Sequence, residues 1–296
     1  MNNHDLYGRT VRRAAIVASA TAILLIFLKL LAYLASGSTS LLASLVDSLM
    51  DAAASGINLF ALRFATQPAD DHHRFGHGKM ESLAALGQSL FISGSALLLA
   101  IEGVNRLLNP APVTALPWAI GVMLFSMVAT LALLAYQRQV IKQTGSLAIQ
   151  ADALHYRSDL LLNGGILLAL GLSYAGWLRA DALFALLIAG YMLWSARHIA
   201  VDAAQVLLDR ALPDEELQQI RQIARNYPGV IGLHALRTRQ SGPTRFIQLH
   251  LELPDQLTLK EAHTIADGVE AQLLAAFPGA DVLIHQDPQS AGSRPF

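Results

Sequence analysis

The sequence predicts an α-helical membrane protein of six transmembrane helices followed by a small C-terminal cytoplasmic α+β domain. Three observations carry that expectation. Charged residues occupy only 15% of the 296 positions, against about a quarter in an average soluble domain, and the mean hydropathy is +0.41. Six mainly apolar stretches reach the ~20 residues that a helix needs to cross a bilayer; they lie at roughly 14–35, 40–64, 81–107, 116–137, 147–174 and 180–208. Beyond Pro213 the pattern changes to short amphipathic segments separated by turn residues.

The N-terminus, MNNHDLYGRTVRR, is basic, but the apolar run behind it is too long for a signal-peptide core, so the first span is read as a retained helix. ASGSTS separates spans one and two, NPAPVTALP spans three and four, and YAGWLRAD spans five and six. The remaining connections, TQPADDHHRFGHGK and QRQVIKQTGS, fall on the other side. That side also collects Arg9, Arg12, Arg13, Arg63, Arg74, Lys79, Arg138 and Lys142, whereas the opposite side shows Arg106 and Arg179. Positive charge is retained on the cytoplasmic face, which puts both termini in the cytoplasm.

After the spans, PDEELQQIRQIARNYPG reads as an amphipathic helix opened by Pro and acids and closed by Pro-Gly. VIGLHALRTRQ and TRFIQLHLEL alternate apolar and polar residues around SGP, which predicts a hairpin. TLKEAHTIADGVEAQLLAAF is a second helix and DVLIHQD a last strand. The αββαβ order predicts a ferredoxin- or metallochaperone-like domain with two helices on one sheet face. The expected division is residues 1–208 for the six-helix transmembrane domain, 209–290 for the cytoplasmic α+β domain, and 291–296 for a tail.

Polar residues inside the spans point to function. Asp47 and Asp51 sit four apart in LLASLVDSLMDAAASGINLF, on one helix face and about a turn apart. Each acid at the centre of a span costs about 2.5–3.5 kcal/mol on insertion scales, so a compensating charge is expected. Span five supplies a matching pair, His155 and Asp159, in ADALHYRSDLLLNGG. If the two spans pack together, one imidazole and three carboxylates form a four-ligand set suited to Zn²⁺. The bland alternative is a pair of helix ends near the headgroups, or an ion pair using Arg157.

Other ligand types lie outside the spans. The loop PADDHHRFGHGK holds Asp70, Asp71, His72, His73 and His77; one helical turn would align His73 with His77, although a solvated His-rich loop fits the residues equally. The α+β region places His234 and His250 on its hairpin, His263 on its second helix, and His285 and Asp287 on one face of its last strand. Five such residues in so small a domain suggest a binuclear zinc site.

Several classes are excluded or disfavoured. A net charge of −1 gives no basic stripe for nucleic acid. There is no cysteine, so thiolate sites and disulfides are absent. No GxxxxGK[ST] occurs for ATP, and no HExxH for an intramembrane zinc protease. A zinc sensor without transport would have no use for four ligands in the lipid-embedded part.

SLVDSLMD with HYRSD resembles the cation diffusion facilitators, six-span metal exporters with a cytoplasmic domain. The resemblance continues through QPADDHHRFGHGKMESLAAL, LLDRALPDEE, GLHALRTRQSGPTRFIQLHLEL and IHQDP. It implies that Asp47, Asp51, His155 and Asp159 are the transport site and that Asp70, His73 and His77 form a second site. It further implies that His234, His250, His285 and Asp287 bind metal in the cytoplasmic domain, with His263 completing one ion's shell. Lys79 and Asp209 correspond to a pair that locks two protomers of a homodimer. Members with one His among the transport ligands typically move zinc and often cadmium; several that lack it prefer manganese. Ferrous iron suits the same ligand types. The GSLAIQ loop lacks the His-rich insert of many eukaryotic zinc carriers, which fits the bacterial type; the resemblance implies an inner-membrane exporter, and the exchangeable carboxylate-imidazole site with no phosphate-binding loop implies drive by protons without ATP.

Overall fold

The computed structural model describes residues 3–36, 39–109, 117–174, 177 and 179–291, the side chains of 3–5, 32, 35, 36, 39–44, 46, 47, 50, 117–119, 173, 174 and 291 excepted. The chain divides into two compact units. One comprises Gly8–Gln67 and Met80–Ala204; the other comprises Met1–Tyr7, Pro68–Lys79 and Gln205–Phe296.

The first unit is built from six long helices: α1 (Asn3–Ser36), α2 (Thr39–Ala65), α3 (Lys79–Leu108), α4 (Pro117–Thr144), α5 (Leu147–Tyr174) and α6 (Ala180–Leu207). Among the described residues, segments of α1, α3, α4 and α6 are long and apolar enough to cross a membrane by length and composition alone. The other two, α2 and α5, carry the ionisable residues singled out above, and Asp152, Arg157 and Asp159 dilute the apolarity of α5. Helix ends differ from the apolar limits. The α1 helix begins at Asn3 because its basic first turns are helical too, and α4 continues past the apolar run to Thr144. Gly145, at φ 65°, ends α4 by donating its N–H to the Ile141 carbonyl, as a left-handed residue after a helix commonly does.

The polarity of this unit is inverted relative to a water-soluble bundle. Ile57, Leu98 and Leu187 are about 70% exposed on its outside, while Ser55, Asn58, Gln88, Gln137, Asp152 and Ser158 are buried. In lipid the outer apolar surface costs nothing, and the interior is where polar groups find partners. Small residues let the helices approach. Ala85, Ala151 and Ala203 pack together from α3, α5 and α6, and a Cβ at Gly103 would come within 3.0 Å of Leu186.

The second unit contains α7 (Asp214–Arg225), β1 (Gly232–Ser241), β2 (Thr244–Leu253), α8 (Leu259–Ala276) and β3 (Asp281–Pro288), in the αββαβ order. Acids Asp214, Glu215 and Glu216 open α7 and Arg225 closes it, complementing the helix dipole. Thr258 and Glu261 form a reciprocal capping box at the start of α8. The sheet order is β1-β2-β3, with β1 antiparallel and β3 parallel to β2. Ile247, Leu249, Leu251 and Leu253 project from one face of β2 into a core shared with Ile220, Ala224, Val269 and Leu273. Both helices therefore cover that face. Leu251 is completely buried, so Leu251→Ala should destabilise this unit by about 2–5 kcal/mol, read as lost hydrogen-exchange protection along β2.

Candidate metal centres

Asp51 lies near the middle of α2, and His155 and Asp159 lie in the N-terminal half and near the middle of α5. The two helices pack so that His155 Nε2 is 2.9 Å from Asp51 Oδ1 and 3.8 Å from Asp159 Oδ2. Edges of a tetrahedron drawn with 2.0–2.1 Å metal bonds measure about 3.3–3.4 Å, so these separations bracket what one ion requires. His155 is almost fully buried, edge-on to Phe91 and Tyr156. Asp51 and Asp159 open onto a cavity of about 30 Å³, also lined by Lys29, Ser48, Thr130 and Asn163. That volume exceeds what a single water needs, and it suits a bare dication. Lys29 donates to Ser48 Oγ at 2.6 Å. Asp47 belongs to α2, but its side chain lies outside the described residues.

The second cluster arises from strand register. His234 on β1 is paired with His250 on β2, and His250 with His285 on β3, which sets three imidazoles in a row on the sheet face opposite the core. Their ring centroids are 5.1 and 4.6 Å apart. Asp287, two residues after His285, turns its carboxylate along that row. Its oxygens lie 3.2 Å from His234 Nε2, 2.8 Å from His250 Nδ1 and 3.1 Å from His285 Nε2. Burial alone would raise the Asp287 carboxyl; the His250 hydrogen bond and the surrounding imidazoles outweigh it and hold the group below the ordinary carboxylate range. Glu252 accepts from or faces His234 Nδ1 at 2.9 Å and was not singled out by sequence, although it shares the strand face of His250 two residues earlier. A register shift beside His234, with Ala235 at φ 49°, forms a bulge. Bulges commonly re-aim a neighbouring side chain. His263 is separate: it is exposed on α8 and pairs with Asp267 at 3.4 Å.

The donors present fit a resident divalent metal here. His234, His250 and Asp287 each offer an atom within 4.8 Å of the others, with His285 in reach of the same carboxylate.

In the loop before α3, Asp70 Oδ1 accepts from the backbone N–H groups of His72 and His73 at 2.9 and 2.6 Å. This Asx-type turn, and not a helical turn, brings His73 and His77 to a centroid distance of 4.6 Å. Asp70 Oδ2 lies 3.3 Å from His77 Nε2. The His73 N–H chiefly holds the Asp70 carboxyl below its usual range, against a smaller opposing effect of burial. Asp70, His73 and His77 thus form a third convergent donor set. The loop is seated on the hairpin of its own unit: Arg239 lies over both the Phe75 and Phe246 rings, and a Cβ on Gly78 would fall 2.6 Å from the Ser241 carbonyl. Lys79 Nζ meets Asp209 Oδ1 at 2.8 Å within one chain. Asp209 adopts φ 58°, and the Lys79 hydrogen bond holds its carboxyl low.

A buried group that sequence reasoning passed over is Asp152, one turn before His155. It accepts from Gln137 Nε2 at 2.7 Å and from Gln88 Nε2 and Ser55 Oγ at 3.4 Å each.

A model of the cation efflux transmembrane domain matches residues 15–208, and one of the cation efflux protein cytoplasmic domain matches 212–289. The cation-efflux pump FieF of Escherichia coli strain K12 / DH10B is 56% identical over 288 residues, covering 97% of this chain and 96% of its own. FieF of the O157:H7 strain EC4115 matches to the same extent. Among solved structures, the Zn form of CzrB is 35% identical, with a TM-score of 0.27 over 29% of this chain and 99% of that one. The metal-bound C-terminal domain of CzcD from Thermotoga maritima is 25% identical, with a TM-score of 0.25 over 28% of this chain and 100% of that one.

Proposed function

The chain belongs to the cation efflux, or cation diffusion facilitator, family, a family of membrane metal transporters and not of enzymes, and on that premise we propose that it exports Zn²⁺ from the cytoplasm in exchange for protons. The observation that carries the proposal is the convergence of Asp51, His155 and Asp159 beside a small cavity, near the middle of two helices. Asp47, one turn from Asp51, is the fourth ligand of this reading.

A carboxylate-imidazole site holds either a dication or protons. In water an imidazole titrates near ~6.5 and an aspartate near ~3.9, so proton occupancy at His155 and an acid competes with the metal. Zn²⁺ displaces protons at cytoplasmic pH, and a more acidic exterior reverses the exchange. Helix tilting around the site gives alternating access, with six crossings of the bacterial inner membrane and both termini in the cytoplasm. Cd²⁺ and Fe²⁺ are the alternative cargoes.

In the cytoplasmic domain, His234, His250, His285 and Asp287 would hold two zinc ions, with Asp287 between them. His263, on the far layer of its own protomer, would complete that shell only from a second copy. Bound metal then favours one homodimer arrangement, stabilised by the Lys79–Asp209 pairs, and raises transport when cytoplasmic zinc is high. The Asp70, His73 and His77 set is a delivery or regulatory site.

Proteoliposomes exposed to a panel of metals under varied pH gradients test the function: zinc entry should drive counterflow of protons. His155→Asp should shift selectivity from zinc toward manganese, since replacing imidazole by carboxylate favours harder cations. Unchanged selectivity would remove His155 from the proposed site.

A further inference from the structure

We propose that Asp152 is a proton-binding site of the exchange cycle, separate from the metal ligands and connected to their cavity by a Ser55–Tyr156 hydroxyl pair. The inference rests on the cation-proton exchange read above. Asp152 is 1% exposed, and its three hydrogen-bond donors among the described residues are neutral: two amides, Gln88 from α3 and Gln137 from α4, and the Ser55 hydroxyl from α2. Among the described residues, the titratable groups that interact with it are His155 and Tyr156 on its own helix, and Asp51 lies one turn from its Ser55 partner on α2. A carboxylate so deep in a helical bundle is costly to keep ionised without a cation nearby. The cost falls when a dication sits one turn away among Asp51, His155 and Asp159, and it returns when the dication leaves. Metal occupancy and proton occupancy at Asp152 are thereby linked with opposite sign.

The surroundings serve both charge states. Three donors satisfy the ionised carboxylate. Gln137 Oε1 is buried with no hydrogen-bond partner among the described residues, so a rotated Gln137 amide presents an acceptor to the protonated carboxyl in place of its donor. A path for the proton also exists. Ser55 Oγ lies 3.4 Å from Asp152 Oδ1 and 2.9 Å from the Tyr156 hydroxyl, with either hydroxyl able to donate, and Tyr156 lines the cavity that holds Asp51 and Asp159. On metal arrival the Asp152 carboxyl passes its proton to Ser55 Oγ, Ser55 passes its own to Tyr156, and Tyr156 releases one to the cavity. Each hydroxyl ends unchanged, Asp152 loses one proton and the cavity gains one.

The test uses the full chain in detergent, titrated with Zn²⁺ in weakly buffered solution. Asp152→Asn should still bind Zn²⁺ at the membrane site but release about one proton fewer per chain at zinc saturation than the wild type. An infrared band of protonated carboxyl that the wild type loses on binding zinc should be missing from the variant. An unchanged proton count and a retained band overturn the proposal alone. Asp51→Ala, which removes the membrane site, should lose this proton as well as its own; equal release from Asp51→Ala and the wild type overturns exchange at that site, and the proposal with it. Should Asp152→Asn fail to fold, Gln137→Leu should shift the frequency of the same band, and an unshifted band overturns the assignment. Ser55→Ala should slow proton release without changing its extent; release at the wild-type rate overturns the hydroxyl route.

Discussion

Replacing Asp51 with alanine should reduce zinc-driven proton flux in proteoliposomes by more than about 100-fold, since losing even a second-shell partner of a metal ligand typically costs 10–100-fold. Asp51 faces His155 at 2.9 Å, whereas Asp159 lies at 3.8 Å. Without Asp51, the remaining described donors come from α5 alone and cannot close around an ion between two helices. The fold should survive, because taking a carboxylate out of the bilayer centre relieves about 2.5–3.5 kcal/mol of insertion cost. Size-exclusion behaviour should therefore match the wild type while flux is lost. Normal flux in a well-folded Asp51→Ala protein would remove this site from the mechanism.

Asp287→Asn should have the largest effect in the cytoplasmic domain, because one carboxylate serves three imidazoles there. Asparagine keeps the shape but loses the charge and one acceptor. If metal binding weakens about 100-fold, the stabilisation by a fixed zinc concentration falls by up to about 2.7 kcal/mol, measured as a smaller zinc-induced rise in melting temperature. A metal-free pH titration separates the carboxylate from the metal. The native Asp287 carboxyl lies below its ordinary range, so its contribution is fully present above the unfolded value of ~3.9 and is lost as pH falls through the lower native value. That acid-side loss should be missing from Asp287→Asn. An equal zinc shift in both proteins would exclude Asp287 from the metal centre.

The convergence of Asp51 with His155 and Asp159 is legible because an acid in an apolar run is conspicuous and a spacing of four sets two side chains on one helix face. The same spacing rule paired His155 with Asp159 and passed over Asp152, whose meaning depends on Gln88 and Gln137 from other helices. The αββαβ order followed from the change in periodicity at Pro213, and the row of His234, His250 and His285 follows from it only once β3 runs parallel to β2. Strand pairing over that distance leaves no local mark. Glu252 is hidden for the same reason, since an acid on a strand face is ordinary until strand pairing sets it against His234. A helical turn would align His73 with His77, but an Asx turn at Asp70 competes with helix formation for the same backbone donors.

The polypeptide passes from one unit to the other at four places, after Tyr7, Gln67, Lys79 and Ala204. Excising everything beyond residue 208 would therefore not leave a self-contained helical unit. It would strip Phe75 of its Arg239 and Phe246 partners, uncover the backbone seat of Gly78 and leave Lys79 without Asp209. Any loss of activity in such a truncation would reflect a damaged α2–α3 connection as much as a missing C-terminal domain, and a graft intended to exchange the C-terminal domains of two relatives must carry residues 68–79 with it.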